Sequence, residues 1–131
     1  MVWTGSEMIV WGGEADEIAS TLFSDGAAYD PAKDTWRLLS HSPLSGRRYH
    51  SAVWTGDEML IVGGVGEGDG AAYHPDTDSW RPIAVPPVPL APPAGTDTVG
   101  LVSFLWTGDQ LIIWHVAPNQ PVAYNPTDDA W

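Results

Sequence analysis

Arg47, Arg48 and His50 stand within four positions of one another, two guanidinium groups and an imidazole suited to gripping an anionic group. His41 precedes them, and Glu67 and Asp69 follow within the glycine-rich stretch VGEGD at Val65–Asp69. Upstream, Glu14, Asp16 and Glu17 bring together carboxylates of the kind that hold a hard cation. No D-x-D-x-D-G spacing frames them, so a solvated acidic loop is the better account of them. His74 and His115 lie far along the chain from His41 and His50, and four scattered histidines nominate no metal site. Gly12-Gly13 and Gly63-Gly64 lack the GK[ST] and following helix of a phosphate loop. No G-x-S-x-G nucleophile turn is present either.

These residues have to be carried by a framework, and the framework is repetitive. WTGSEMIVWGG at Trp3–Gly13 returns as WTGDEMLIVGG at Trp54–Gly64 and as WTGDQLIIWHV at Trp106–Val116, with starts 51 and 52 residues apart. A second marker keeps phase with it: YDPAKDTW at Tyr29–Trp36, YHPDTDSW at Tyr73–Trp80 and YNPTDDAW at Tyr124–Trp131. A period near fifty residues is that of propeller blades. In the middle copy, Tyr49–Thr55 and Glu58–Val62 read as strands a and b around a tight Gly56-Asp57 turn, with Trp54 facing Met59 and Val53 facing Leu60. Neither strand alternates cleanly with polar residues, so both faces need cover. Strand c is expected over Gly70–His74. The PDTD segment then turns the chain, with Asp76 and Asp78 placed to cap backbone N–H groups, and strand d starts near Ser79. The repeat-invariant Tyr73 and Trp80 are expected to fill the space between neighbouring sheets. By the same logic Asp128-Asp129 caps a turn and His74 is a turn residue, equivalent to Asp30 and Asn125.

Composition agrees with many short strands. The 131 residues are 44% hydrophobic and include eight Trp, 14 Gly and 12 Pro. The formal charge is -12 with only five Lys and Arg, which argues against nucleic acid and anionic membrane surfaces as partners. The acidity suits solubility or a cationic ligand. Cysteine is absent, which excludes disulfides and thiolate metal sites. No apolar run approaches the ~20 residues of a membrane span, and no signal peptide is visible. Met1 and Val2 align with Ala52 and Val53, so the amino terminus reads as truncated inside a repeat, and the compartment stays open.

The motif pair WTGSEMIVWGG…YDPAKDTW and HSAVWTGDEMLIVGG…YHPDTDSW resembles the kelch repeat, in which a second strand ends in Gly-Gly and is followed by Tyr and then Trp. The third copy departs, with His115-Val116 in place of the glycine pair. The resemblance implies an all-β, partial kelch-type β-propeller of about three four-stranded antiparallel blades, the first and last incomplete. It covers residues 1–131 as one kelch-repeat region. Blade 1 is expected at about 1–40, blade 2 at about 47–85, a proline-rich connector at about 82–97 and blade 3 at about 99–131. The structural motif residues are Trp3, Gly12, Gly13, Tyr29, Trp36, Trp54, Gly63, Gly64, Tyr73, Trp80, Trp106, Tyr124 and Trp131. Kelch propellers commonly close with six or seven blades. The implied partners of the edge blades are therefore the remaining blades of a longer chain, or a second copy by self-association.

The a–b and c–d turns hardly vary between copies, whereas the b–c loops and d–a connections on the opposite edge do. The b–c loop is long at Glu14–Asp25, short at Val65–Asp69 and APNQ in the third copy. The d–a connection carries His41, Arg47, Arg48 and His50 after blade 1 and six prolines over Pro82–Pro93 after blade 2. Variable loops on a rigid scaffold are where recognition resides. The ligand-binding candidates are accordingly Glu14, Asp16, Glu17, His41, Arg47, Arg48, His50, Glu67 and Asp69. The resemblance adds a competing structural role, in which an Arg and the His of RRYHSAV orient the inner strand. It favours a non-catalytic module binding a protein or a carbohydrate, with no metal or cofactor. Its enzymatic alternative is part of a sugar mutarotase or epimerase using Arg47, Arg48, His50 and Glu67. A copper radical oxidase of this fold needs a Tyr–Cys crosslink, which a chain without cysteine cannot make. A cation-dependent adhesive surface on the acidic loops is the remaining possibility.

Overall fold

A computed structural model describes residues 1–15, 21–65, 67–87, 102–115 and 121–131. Among them the chain is all-β, a partial propeller-like fold of three antiparallel sheets. The first holds β1 (Val2–Trp3), β2 (Met8–Trp11), β3 (Gly26–Asp30) and β4 (Thr35–Leu38). The second holds β5 (Ser51–Trp54), β6 (Met59–Val62), β7 (Gly70–His74) and β8 (Ser79–Pro82). The third holds β9 (Val102–Trp106), β10 (Leu111–His115) and β11 (Pro121–Tyr124), and continues only as the isolated bridge Asn125–Ala130. Each sheet is a simple meander in chain order, and the first strands adjoin one another, β1 against β5 and β5 against β9.

The WTG motif makes the same hairpin three times. Trp54 pairs with Met59 and Val53 with Leu60, in the register expected from the sequence. Thr55 closes the turn: its backbone N–H donates to the Glu58 carbonyl at 3.0 Å, and its hydroxyl accepts the Glu58 N–H at 2.9 Å. Thr4 with Glu7 and Thr107 with Gln110 repeat that geometry. Gly5, Gly56 and Gly108 take φ of 106°, 108° and 112°, values that only glycine adopts without strain. Three sequence boundaries shift. Thr55 and Glu58 belong to the turn rather than to strands a and b, and strand a begins at Ser51, because Tyr49 has a φ of 57° that is incompatible with an extended strand.

The lack of polar alternation is explained by β6, where Met59, Leu60, Ile61 and Val62 are all buried. Met59 and Ile61 join Ile9, Trp11, Ala28 and Tyr73 in a core between the first and second sheets. Leu60 and Val62 face the other way, joining Leu111, Ile113 and Tyr124 between the second and third. Burying each such side chain is worth roughly 1.5–3 kcal/mol, so the middle sheet binds its neighbours through both faces.

Polar contacts fasten the sheets in a repeating pattern. Arg37 holds Glu7 of its own sheet at 2.8 Å and donates across to the Tyr73 hydroxyl at 2.8 Å. Asp78 accepts the Ser40 backbone N–H at 2.9 Å, and the Trp80 indole donates to the Ser40 carbonyl at 3.0 Å. One sheet further on, Arg81 holds Glu58 at 2.7 Å and reaches the Tyr124 hydroxyl at 3.4 Å. Asp129 accepts the Ala84 N–H at 2.9 Å, and Trp131 donates to the Ala84 carbonyl. Asp78 and Asp129 thus cap the backbone of the preceding sheet rather than their own turn, which corrects the local capping expected from sequence. Asp76 is exposed. Burial pushes the Tyr73 and Tyr124 hydroxyls up to about 12, so both remain protonated donors to Asp78 and Asp129.

Candidate functional site

The b–c loops and the d–a connection converge on one edge, because the connection is stitched between two loops. Gly13 N–H donates to the Arg47 carbonyl at 2.9 Å, Arg47 N–H to the Phe23 carbonyl at 3.2 Å, and Val65 N–H to the Arg48 carbonyl at 3.1 Å. The glycine pairs permit this approach. A Cβ on Gly64 (φ +128°) would sit 3.2 Å from the Arg48 carbonyl oxygen, and one on Gly12 (φ +67°) would sit 3.1 Å from that of Arg47.

Arg47 is 0% exposed. Its guanidinium donates to the Ser45 carbonyl (3.1 Å), the Gly63 carbonyl (3.1 Å), the Asp69 carboxylate (2.6 Å) and the Ser45 hydroxyl (3.1 Å). The Ser45 hydroxyl in turn donates to Glu67 at 3.0 Å. Arg47, Glu67 and Asp69, named from sequence as ligand contacts, are therefore drawn into one internal network that shapes the loop. Arg47 in particular is fully buried, with its guanidinium donating to carbonyl, carboxylate and hydroxyl oxygens of the chain itself.

Arg48 behaves differently. It is partly exposed and forms an ion pair with Glu14, and its guanidinium lies 5.3 Å from the centre of the Tyr49 ring. Tyr49 is 60% exposed although its backbone is left-handed. A bulky residue in that region costs about 1–2 kcal/mol, and such strain persists where surrounding contacts impose it. Leu22, Phe23 and Val65, large apolar residues on the loops stitched to this connection, are exposed beside it. Sequence reasoning placed Tyr49 in a strand and passed over these three. The available signal was the apolar pair Leu22-Phe23 inside a loop otherwise rich in acidic and small residues.

His50 is turned inward. Its ring meets Trp11 edge-on at 5.3 Å, and its Nδ1 is buried without a hydrogen-bond partner among the described residues. Burial, then neighbouring positive charge including Arg47, holds its pKa below the usual histidine value. The unfolded chain therefore takes up this proton first as pH falls. Stability due to neutral His50 is full above about 6.5 and is lost as pH drops from there towards the lower folded pKa. Melting temperatures of the unaltered chain are expected to fall between pH 7 and 5 more steeply than those of His50→Phe.

His41 is exposed and makes no contact with this cluster among the described residues. Asp16, Glu17, the APNQ loop and the later part of the proline-rich connector lie outside the described residues. His74 bridges the two invariant turns of its sheet, 3.4 Å from Asp57. On that opposite edge a groove of about 790 Å³ runs between the second and third sheets, over Trp106, Glu58, Arg81 and Asp129. Its Glu58 and Asp129 are already engaged by Arg81 and Tyr124. Among the described residues no group of three or more His, Asp or Glu is arranged to hold a metal ion. Comparison with known protein families and with curated proteins gives no match for this chain.

Proposed function

We propose that this chain is a kelch-type propeller region serving as a non-catalytic binding module for a protein or carbohydrate ligand, with the b–c and d–a edge as its recognition face. The observation that carries the reading is Tyr49: an exposed ring on a strained backbone, with no core to fill. On the loops hydrogen-bonded to its connection, Leu22, Phe23 and Val65 supply exposed apolar surface, and the Arg48–Glu14 pair supplies polar groups beside the ring. An exposed aromatic together with exposed apolar side chains and a charged pair is the composition of a binding patch rather than of an inert surface. The burial of Arg47 removes one of the groups on which the mutarotase alternative relied.

Tyr49→Gly separates a recognition role from a structural one. Relief of the left-handed backbone favours the variant by about 1–2 kcal/mol, and the extra freedom of glycine in the unfolded chain opposes this by about 0.5–1 kcal/mol. The expected result is a melting temperature equal to or slightly above that of the unaltered chain. Ligands are sought with the full chain on a glycan array and by photo-crosslinking from position 65 to protein partners. Affinity for the ligand found is expected to drop at least about tenfold in Tyr49→Gly, the effect of losing an aromatic anchor. The reading is wrong if every ligand found binds Tyr49→Gly and Arg48→Ala as tightly as the unaltered chain.

A further inference from the structure

The contact that joins neighbouring sheets occurs twice within the chain, and half of it occurs a third time. On the second and third sheets, a Tyr–Asp–Trp triad receives three things from the sheet before it: the strand-d arginine, a backbone N–H and a backbone C=O. Tyr73, Asp78 and Trp80 receive Arg37 and both backbone groups of Ser40. Tyr124, Asp129 and Trp131 receive Arg81 and both backbone groups of Ala84. On the first sheet the same triad is already assembled. The Tyr29 hydroxyl donates to Asp34 at 2.8 Å, against 2.7 Å and 2.6 Å in the other two. The Tyr29 and Trp36 rings lie 4.9 Å apart, against 4.9 Å and 5.1 Å. Asp34 has a φ of 52°, against 46° and 47° at Asp78 and Asp129. What differs is cover: Trp36 is 58% exposed, and Trp3, on the same face, is exposed as well.

We propose that this open face of the first sheet is a preformed docking socket for a further blade of the same repeat, one whose fourth strand carries an arginine directly after its tryptophan. The socket asks for a guanidinium against the Tyr29 hydroxyl, a backbone N–H for the Asp34 carboxylate, and a backbone carbonyl for the Trp36 indole. Only a strand built like Trp36–Ser40 or Trp80–Ala84 offers all three at the right spacing. A second copy of the chain is the poorer occupant, because its Arg37 and Arg81 are both engaged by its own Tyr73 and Tyr124. The geometry is set before docking, so little side-chain ordering remains to oppose it.

The repeat phase supplies the test. Residue 51 is followed in register by a position equivalent to Met1, so a copy of residues 1–51 fused directly ahead of Met1 adds one blade in phase to the full chain. Hydrogen exchange of the original Trp36 indole, assigned with Trp36→Phe, is expected to slow at least about tenfold, with a melting temperature higher by at least about 3 °C. Arg37→Met in the added segment alone is expected to reverse most of both gains. Unchanged exchange at Trp36, or indifference to that arginine, overturns the proposal. Should the fusion not fold, the unextended chain decides. Tyr29→Phe with Trp36→Phe is expected to leave its melting temperature within about 1 °C, while Tyr73→Phe with Trp80→Phe lowers it by several degrees. Equal losses from the two pairs overturn the proposal. Sedimentation showing the unextended chain as an oligomer in which Trp36 is protected assigns the socket to a second copy, and overturns it likewise.

Discussion

The Arg47→Met protein is expected to lose about 1–3 kcal/mol of stability, a sizeable part of the 5–15 kcal/mol that holds most domains together. The cause is what the substitution leaves behind. Methionine fills much of the same space, but the Gly63 and Ser45 carbonyls lose their donor, and the Asp69 carboxylate loses its partner at 2.6 Å. Unsatisfied groups at a buried site cost more than the bonds were worth in water. Arg47→Lys should recover little, since a point charge cannot reach carbonyl, carboxylate and hydroxyl from one planar fork. Arg48→Met is the control. Arg48 is partly exposed and paired with Glu14, so its removal should cost only about 1 kcal/mol. Thermal or urea unfolding of the three proteins checks this. Equal losses from Arg47→Met and Arg48→Met would mean that the buried network does not order the loop.

Leu60→Ala and Ile61→Ala are each expected to cost about 2–5 kcal/mol. The two residues are adjacent in sequence and belong to different cores. Leu60 truncation opens a cavity towards Leu111, Ile113 and Tyr124, and Ile61 truncation opens one towards Ile9, Trp11 and Ala28. Close packing on both sides leaves neither void free to collapse. Leu105→Ala removes the same side chain from a largely exposed position on the outer face of the third sheet, and should cost under about 0.5 kcal/mol. Urea midpoints for the three proteins test the arrangement directly. A small loss at Leu60 with a large one at Leu105 would reverse the assignment of which faces are covered.

The sequence by itself determined the all-β class, the division into three sheets, the pairing of Trp54 with Met59 and the extent of the strand at Gly70–His74. Those features rest on local chemistry: a threonine and a glycine that close a hairpin, a glycine pair that lets another backbone approach, and repetition that shows the same solution three times. Tertiary structure alone decided the fate of the charged and aromatic residues between repeats. Arg47 and Arg48 are identical neighbours in sequence, yet one is buried on Gly63 and Asp69 and the other lies at the surface on Glu14. Asp78 looks like a turn cap and serves the backbone of another sheet, and Tyr49 reads as a strand residue and stands out in a left-handed conformation. For Arg47, Arg48 and Asp78 the physical reason is common: the partners that settle their roles lie 16 to 38 residues away, on segments that meet only when sheets stack, and no periodicity in the chain records which segments those will be.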